Sequence, residues 1–117
     1  MRERIKDRGR LEHILNSINI LLSNKSRYSL QELSEDSILF YGFVKHVEII
    51  GEAVYMLTKE FRESHTEVDW DVIEGMRHVL VHGYYKIKPI QLWGTIEKDI
   101  PELKPYIEQY CRESQSE

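Results

Sequence analysis

Phe40, Phe43, Val47, Ile50, Val54, Leu57 and Phe61 recur at alternating steps of three and four residues. A strand would bring its apolar residues back at every second position, whereas this spacing returns them to one side of an α-helix turn after turn. The run predicts a long amphipathic helix whose seam must be buried against a partner helix. No run of period two bounded by turn residues, no internal repeat and no low-complexity tract competes with that reading.

The flanking sequence follows the same period. Leu11, Ile14, Leu15, Ile18, Leu21 and Leu22 mark a first helix over about residues 3–24. Ser29 and Glu32 have the capping-box spacing for a short turn through Leu33, and the polar residues 34–37 offer a cap for the long helix. Polar residues 64–69 interrupt the seam. Asp69 then suits the N-cap of a helix that opens at Trp70 and carries Val72, Ile73, Met76, Val79 and Leu80, with Gly83 as its end or bend. After a connector over 86–89, Ile90, Trp93, Ile96 and Ile100 mark a last helix, and Pro101 and Pro105 each suit the first turn of a new segment. The expected fold is all-α: an up-and-down bundle of four to five helices forming a single domain over residues 1–117.

A chain of 117 residues, 41% of them hydrophobic, is long enough for one such core. Its lone cysteine, Cys111, excludes a disulfide framework and a Cys-rich zinc site. No stretch approaches the roughly 20 apolar residues that span a bilayer, and the basic start is not followed by a signal-peptide core, so the expectation is a soluble cytoplasmic protein without a membrane partner. The net charge of −4 argues against binding nucleic acid by bulk electrostatics. Charge is uneven, however: the first ten residues carry a net +3, and Gly75 to Ile96 contains Arg77, Lys86 and Lys88 but no Asp or Glu.

The densest group of reactive side chains is Arg77-His78-Val79-Leu80-Val81-His82-Gly83-Tyr84-Tyr85. A guanidinium can hold phosphate oxygens in two parallel hydrogen bonds, and a histidine titrates near neutrality, so Arg77 and His82 could support metal-free RNA cleavage through a 2′-hydroxyl. On a straight helix position 82 lies about 140° around from position 77. Either the chain bends at Gly83 or a second subunit completes the group. Glu74, His78 and His82, four residues apart, form a competing metal-like stripe that would need further ligands such as Glu48 or Glu52. His13, His46 and His65 have no comparable neighbours in sequence, and Tyr28, Tyr41, Tyr55, Trp70 and Trp93 read as core or interface aromatics.

With these residues in place the chain resembles the HepT-like branch of the HEPN superfamily, ribonuclease toxins encoded beside minimal nucleotidyltransferase antitoxins. The likeness rests on Arg10-Leu11-Glu12-His13-Ile14-Leu15, on Val47-Glu48-Ile49-Ile50-Gly51-Glu52-Ala53, on Trp70 ahead of Arg77-His78-Val79-Leu80-Val81-His82-Gly83-Tyr84, and on Trp93 before Ile100-Pro101-Glu102-Leu103. It implies a homodimer with the motifs facing a shared cleft and a metal-independent endoribonuclease that needs no cofactor, with tRNA as a candidate substrate. Arg77 and His82 take the catalytic positions of the motif. Tyr84 takes that of the tyrosine to which the cognate nucleotidyltransferase transfers AMP, as in a type VII-like toxin-antitoxin system. Gly51 would permit close helix approach and Glu52 would orient Arg77. His78 stands where the family usually has Asn and is expected to take over its positioning role. The alternative is a non-catalytic helical module that binds a nucleotidyltransferase or RNA.

Overall fold

A computed structural model describes residues 2–83 and 87–115. In chain order its elements are α1 (Arg2–Lys25), α2 (Leu30–Glu35), α3 (Ser37–Met56), α4 (Lys59–Ser64), α5 (Trp70–Gly83), α6 (Pro89–Gly94), a π-helical turn (Thr95–Asp99) and α7 (Ile100–Gln115). The long helices α1, α3, α5 and α7 form an up-and-down bundle, and the short ones serve as connectors. No strand occurs among the described residues. α1 packs between α3 and α7, and α3 packs between α1 and α5. Asp7 near the start of α1 meets Thr58 just beyond α3, and Ser17 meets His46 at 3.3 Å, so α1 and α3 run antiparallel.

The local signals act as their chemistry dictates. Ser29 Oγ accepts from the Glu32 N–H while Glu32 Oε1 accepts from the Ser29 N–H, both at 3.1 Å, which closes the capping box of α2. Asp36 Oδ1 accepts from the N–H groups of Ile38 and Leu39 at the head of α3, and Asp69 Oδ1 accepts from Val72 N–H at the head of α5. The seam is buried inside the chain: Phe43, Val47, Ile50, Val54 and Leu57 belong to the same core as Leu11, Ile14, Ile18 and Leu21 of α1. A second subunit would therefore have to use another face.

The long helix is shorter than its apolar period suggests. Leu57 is extended, with ψ 144°, and Thr58 caps a separate α4 by accepting from Phe61 N–H at 3.2 Å. The cause lies on α1. The carboxylate of Asp7, only 6% exposed, accepts from Thr58 N–H at 2.8 Å and from Thr58 Oγ1–H at 2.6 Å, so the helix break is held by a charged acceptor. Asp7→Ala is expected to cost about 2–3 kcal/mol, the scale of hydrogen bonds to a charged group. Urea unfolding measures this, and an unchanged midpoint would show the clamp to be idle.

Two further differences concern side chains on helix faces. Val72, Val79 and Ile90 are 59%, 56% and 64% exposed, so the core face of α5 is carried by Ile73 and Leu80, and that of α6 by Leu92. Pro105 lies inside α7 and opens no new segment. The π turn just before Pro101 absorbs the wider geometry there, its exit marked by Ile100 N–H donating five residues back to Thr95 O. No described glycine has a positive φ, so Gly83 ends α5 as described without the left-handed cap conformation.

Phe61, His65 and Tyr110 form an aromatic corner that fixes where α5 begins. The Phe61 and His65 rings stack at 4.0 Å, Tyr110 meets His65 edge-on at 4.6 Å, and Trp70 Nε1–H donates to the His65 carbonyl at 2.8 Å. Tyr110 also donates to Glu67 at 2.9 Å, and burial pushes its phenol well above the ordinary tyrosine range. His65, without neighbours in the sequence, is the centre of this cluster. Nearby on α7, burial pushes the Cys111 thiol up. Native Cys111 should therefore react with a disulfide reagent at pH 8 far more slowly than in urea, and equal rates would contradict that burial. Among the described residues no helix is long and apolar enough to cross a membrane.

Candidate active site

The site begins with a missing side chain. Gly51 on α3 faces Arg77 on α5: a Cβ at position 51 would overlap the Arg77 Cβ and lie 3.2 Å from both its Cα and its Cγ. Only glycine allows the helices to approach this closely. The approach puts the Arg77 guanidinium within reach of the next turn of α3, where Glu52 and Tyr55 wait.

Arg77 Nε–H donates to Glu52 Oε2 at 2.6 Å, a charge-assisted bond, and the guanidinium carbon sits 4.8 Å from the centre of the Tyr55 ring. Arg77 is one-quarter exposed and Glu52 half-exposed. One edge of the guanidinium is thus tied to Glu52 and one face covered by Tyr55, an arrangement that holds the planar fork in a fixed orientation. Tyr55 is the residue that sequence reading grouped with the core or interface aromatics; it is 49% exposed and belongs to the site. Its signal was the helical spacing from Gly51 and Glu52, four and three residues earlier on the same face.

Of the other expected residues, His78 follows Arg77 on α5, is exposed and is not without a partner. His82 has its backbone in α5, with its side chain outside the described part of the structure. Tyr84 lies outside the described residues altogether. Because α5 stays helical through Gly83, positions 77 and 82 stand about 140° apart on the same helix. Among the described residues α5 shows no break before Gly83. For the metal-like stripe, Glu74 is engaged by Arg62 at 3.4 Å, and no cluster of three or more His, Cys, Asp or Glu side chains able to hold a metal forms among the described residues.

An all-α bundle that holds a quarter-exposed arginine between a carboxylate and an aromatic ring, in a chain with an Arg-x4-His-x-Tyr sequence, is the architecture of a HEPN-type protein. The family model described as ribonuclease HepT-like matches residues 14–110, and the chain belongs to that family. It is similar to "Putative RNase TTE0752" of Caldanaerobacter subterraneus subsp. tengcongensis, 42% identical over 99 residues that cover 85% of this chain and 88% of the relative. "Putative RNase MJ1380" of Methanocaldococcus jannaschii is 32% identical, with 84% and 90% covered. "Probable ribonuclease HepT" of Thermococcus cleftensis is 30% identical, with 80% and 86% covered. No solved structure matches the chain.

Proposed function

We propose that the chain, acting as one domain over residues 1–117, is a metal-independent endoribonuclease and the toxin of a type VII-like toxin-antitoxin pair, with tRNA as its substrate class. The observation that carries this is the Glu52–Arg77–Tyr55 arrangement in a HepT-like chain. Arg77 binds the scissile phosphate and offsets the charge that builds up as the 2′-oxygen attacks phosphorus. His82 takes the 2′-hydroxyl proton or returns one to the departing 5′-oxygen; the P–O2′ bond forms as the P–O5′ bond breaks. Glu52 is a positioning residue acting through Arg77, and His78 orients substrate beside it.

The helical register supports a homodimer. His82 stands about 140° from Arg77 on its own helix, and three residues from the exposed Val79 on a face that also exposes Val72. Pairing through that face would bury the valines and bring Arg77 of one protomer toward His82 of the other. Regulation follows from Tyr84: a cognate minimal nucleotidyltransferase transfers AMP from ATP to the phenol oxygen, releasing pyrophosphate, and the attached phosphate occupies the place of RNA phosphate in the cytoplasmic protein.

The test is intact-mass spectrometry of the protein expressed alone and with its nucleotidyltransferase, followed by tRNA cleavage by both samples in excess chelator. The expected result is an AMP-sized mass increase mapping to Tyr84, with cleavage only by the unmodified form. Absence of both, with RNA or nucleotidyltransferase binding retained, would replace the toxin by a non-catalytic binding module.

A further inference from the structure

A cleft of about 300 Å³ lies between α1 and α3, walled by Arg10 and His13 on one helix and by Lys45, Glu48, Glu52 and Met56 on the other. Arg10 and His13 are three residues apart and so share a face of α1, while the α3 residues recur at three and four and share the face opposite. Both carboxylates are already engaged. Glu52 Oε2 accepts from Arg77 at 2.6 Å, and Glu48 pairs with Lys45 at 3.7 Å. The half-buried Arg10 makes no ion pair or side-chain hydrogen bond among the described residues, which leaves its fork of N–H donors available to a ligand. Within the cleft Arg10 and Lys45 balance Glu48 and Glu52, and since Glu52 is tied to Arg77 and Glu48 to Lys45, the Arg10 fork is the charge left for an incoming anion.

Glu52 is the wall that the cleft shares with the Arg77 site. From Lys45 to Glu52 is two helical turns, about 10 Å along α3, so a ligand in the cleft runs alongside α3 toward the guanidinium. His13, three residues from Arg10 on α1, acquires the α3 residues as neighbours only through the antiparallel packing of α1 on α3. Arg10 and His13 also precede residues 14–110, the stretch matched by the family model.

We propose that this cleft is a phosphate-binding subsite that holds the RNA strand next to the phosphate at Arg77, with Arg10 and Lys45 as its cations and His13 as a hydrogen-bonding wall. It rests on the reading of Arg77 as the scissile-phosphate ligand. The chemistry it recognises is a phosphodiester within a strand, held by a guanidinium fork and an ammonium, with no contact that reads base identity.

The probe is a fluorescein-labelled, fully 2′-O-methylated RNA oligonucleotide, which binds but cannot be cut. Its affinity is measured by anisotropy across a salt series for wild type, Arg10→Ala, Lys45→Ala and the control Lys59→Ala, whose lysine pairs with Glu63 on α4. Arg10→Ala and Lys45→Ala are each expected to raise Kd by about fivefold and to flatten the salt slope by about one, as removal of one phosphate contact does, with Lys59→Ala unchanged. Lys45 is exposed, so its variant reads the subsite even where Arg10→Ala fails to fold. Unchanged affinity and slope, in a wild type that cleaves tRNA, would overturn the subsite and leave the ribonuclease standing. Loss of RNA binding in the variants of a wild type that never cleaves would do the reverse. Displacement of the probe from wild type by AMP or inorganic phosphate at the same concentration as competing RNA would assign the cleft to a free phosphate and overturn it, as would variants that lose only affinity for an acidic partner protein.

Discussion

Arg77→Ala is expected to lower RNA cleavage by about 100- to 1,000-fold, the loss seen when one group that stabilises a charged transition state is removed. The fold should survive. Alanine keeps the Cβ that packs on Gly51, and the Glu52 left behind is half-exposed and can be solvated by water. Arg77→Lys separates charge from geometry: an ammonium can still sit over Tyr55, but it loses the Nε–H that donates to Glu52 and the fork that grips two phosphate oxygens, so only part of the activity should return. Glu52→Ala should cost less than Arg77→Ala and should add nothing in the Arg77→Ala background, because it acts through that side chain. Single-turnover tRNA cleavage with chelator present, alongside thermal melting, reads all four variants. Full activity in Arg77→Ala would remove Arg77 from the chemistry, and additive losses would give Glu52 a role of its own.

Much of this architecture is legible before any coordinates, because the information is local. The period of the seam, the S-x-x-E box at Ser29 and the aspartates at positions 36 and 69 each act within a turn or two of themselves, and all stand where their chemistry places them. What could not be read is set by distant partners. Thr58 has the side chain of an N-cap, but the carboxylate that holds the helix break open is Asp7, fifty-one residues away. The outward turn of Val72 and Val79 depends on which face of α5 meets α3, and hydropathy alone does not choose it. At the site, the pairing of Glu52 with Arg77 is within reach of motif reasoning, since both sit in family landmarks. Tyr55 is harder to find, because its contribution is a ring face offered across a helix crossing whose closeness Gly51 decides.

Gly51→Ala should destabilise the protein and suppress cleavage together, against the ordinary trend for glycine in a helix. In an open helical position alanine is favoured over glycine by about 1 kcal/mol. Gly42, on the same helix with nothing within 4 Å of its would-be Cβ, is such a position, and Gly42→Ala should raise the melting temperature. At Gly51 the new methyl would meet the Cβ and Cα of Arg77, part of the neighbouring helix itself and not the free end of a side chain that could swing away. Relief requires α3 and α5 to separate, and overpacking of this kind costs about 1–3 kcal/mol, enough to outweigh the gain in helix propensity. Separation also carries Arg77 away from Glu52 and Tyr55, so activity should fall even at temperatures where the variant remains folded. The paired measurement is melting and tRNA cleavage for both glycine variants: opposite signs at positions 42 and 51 are expected, and a Gly51→Ala protein that melts above wild type with undiminished cleavage would show that this close approach sets neither stability nor site.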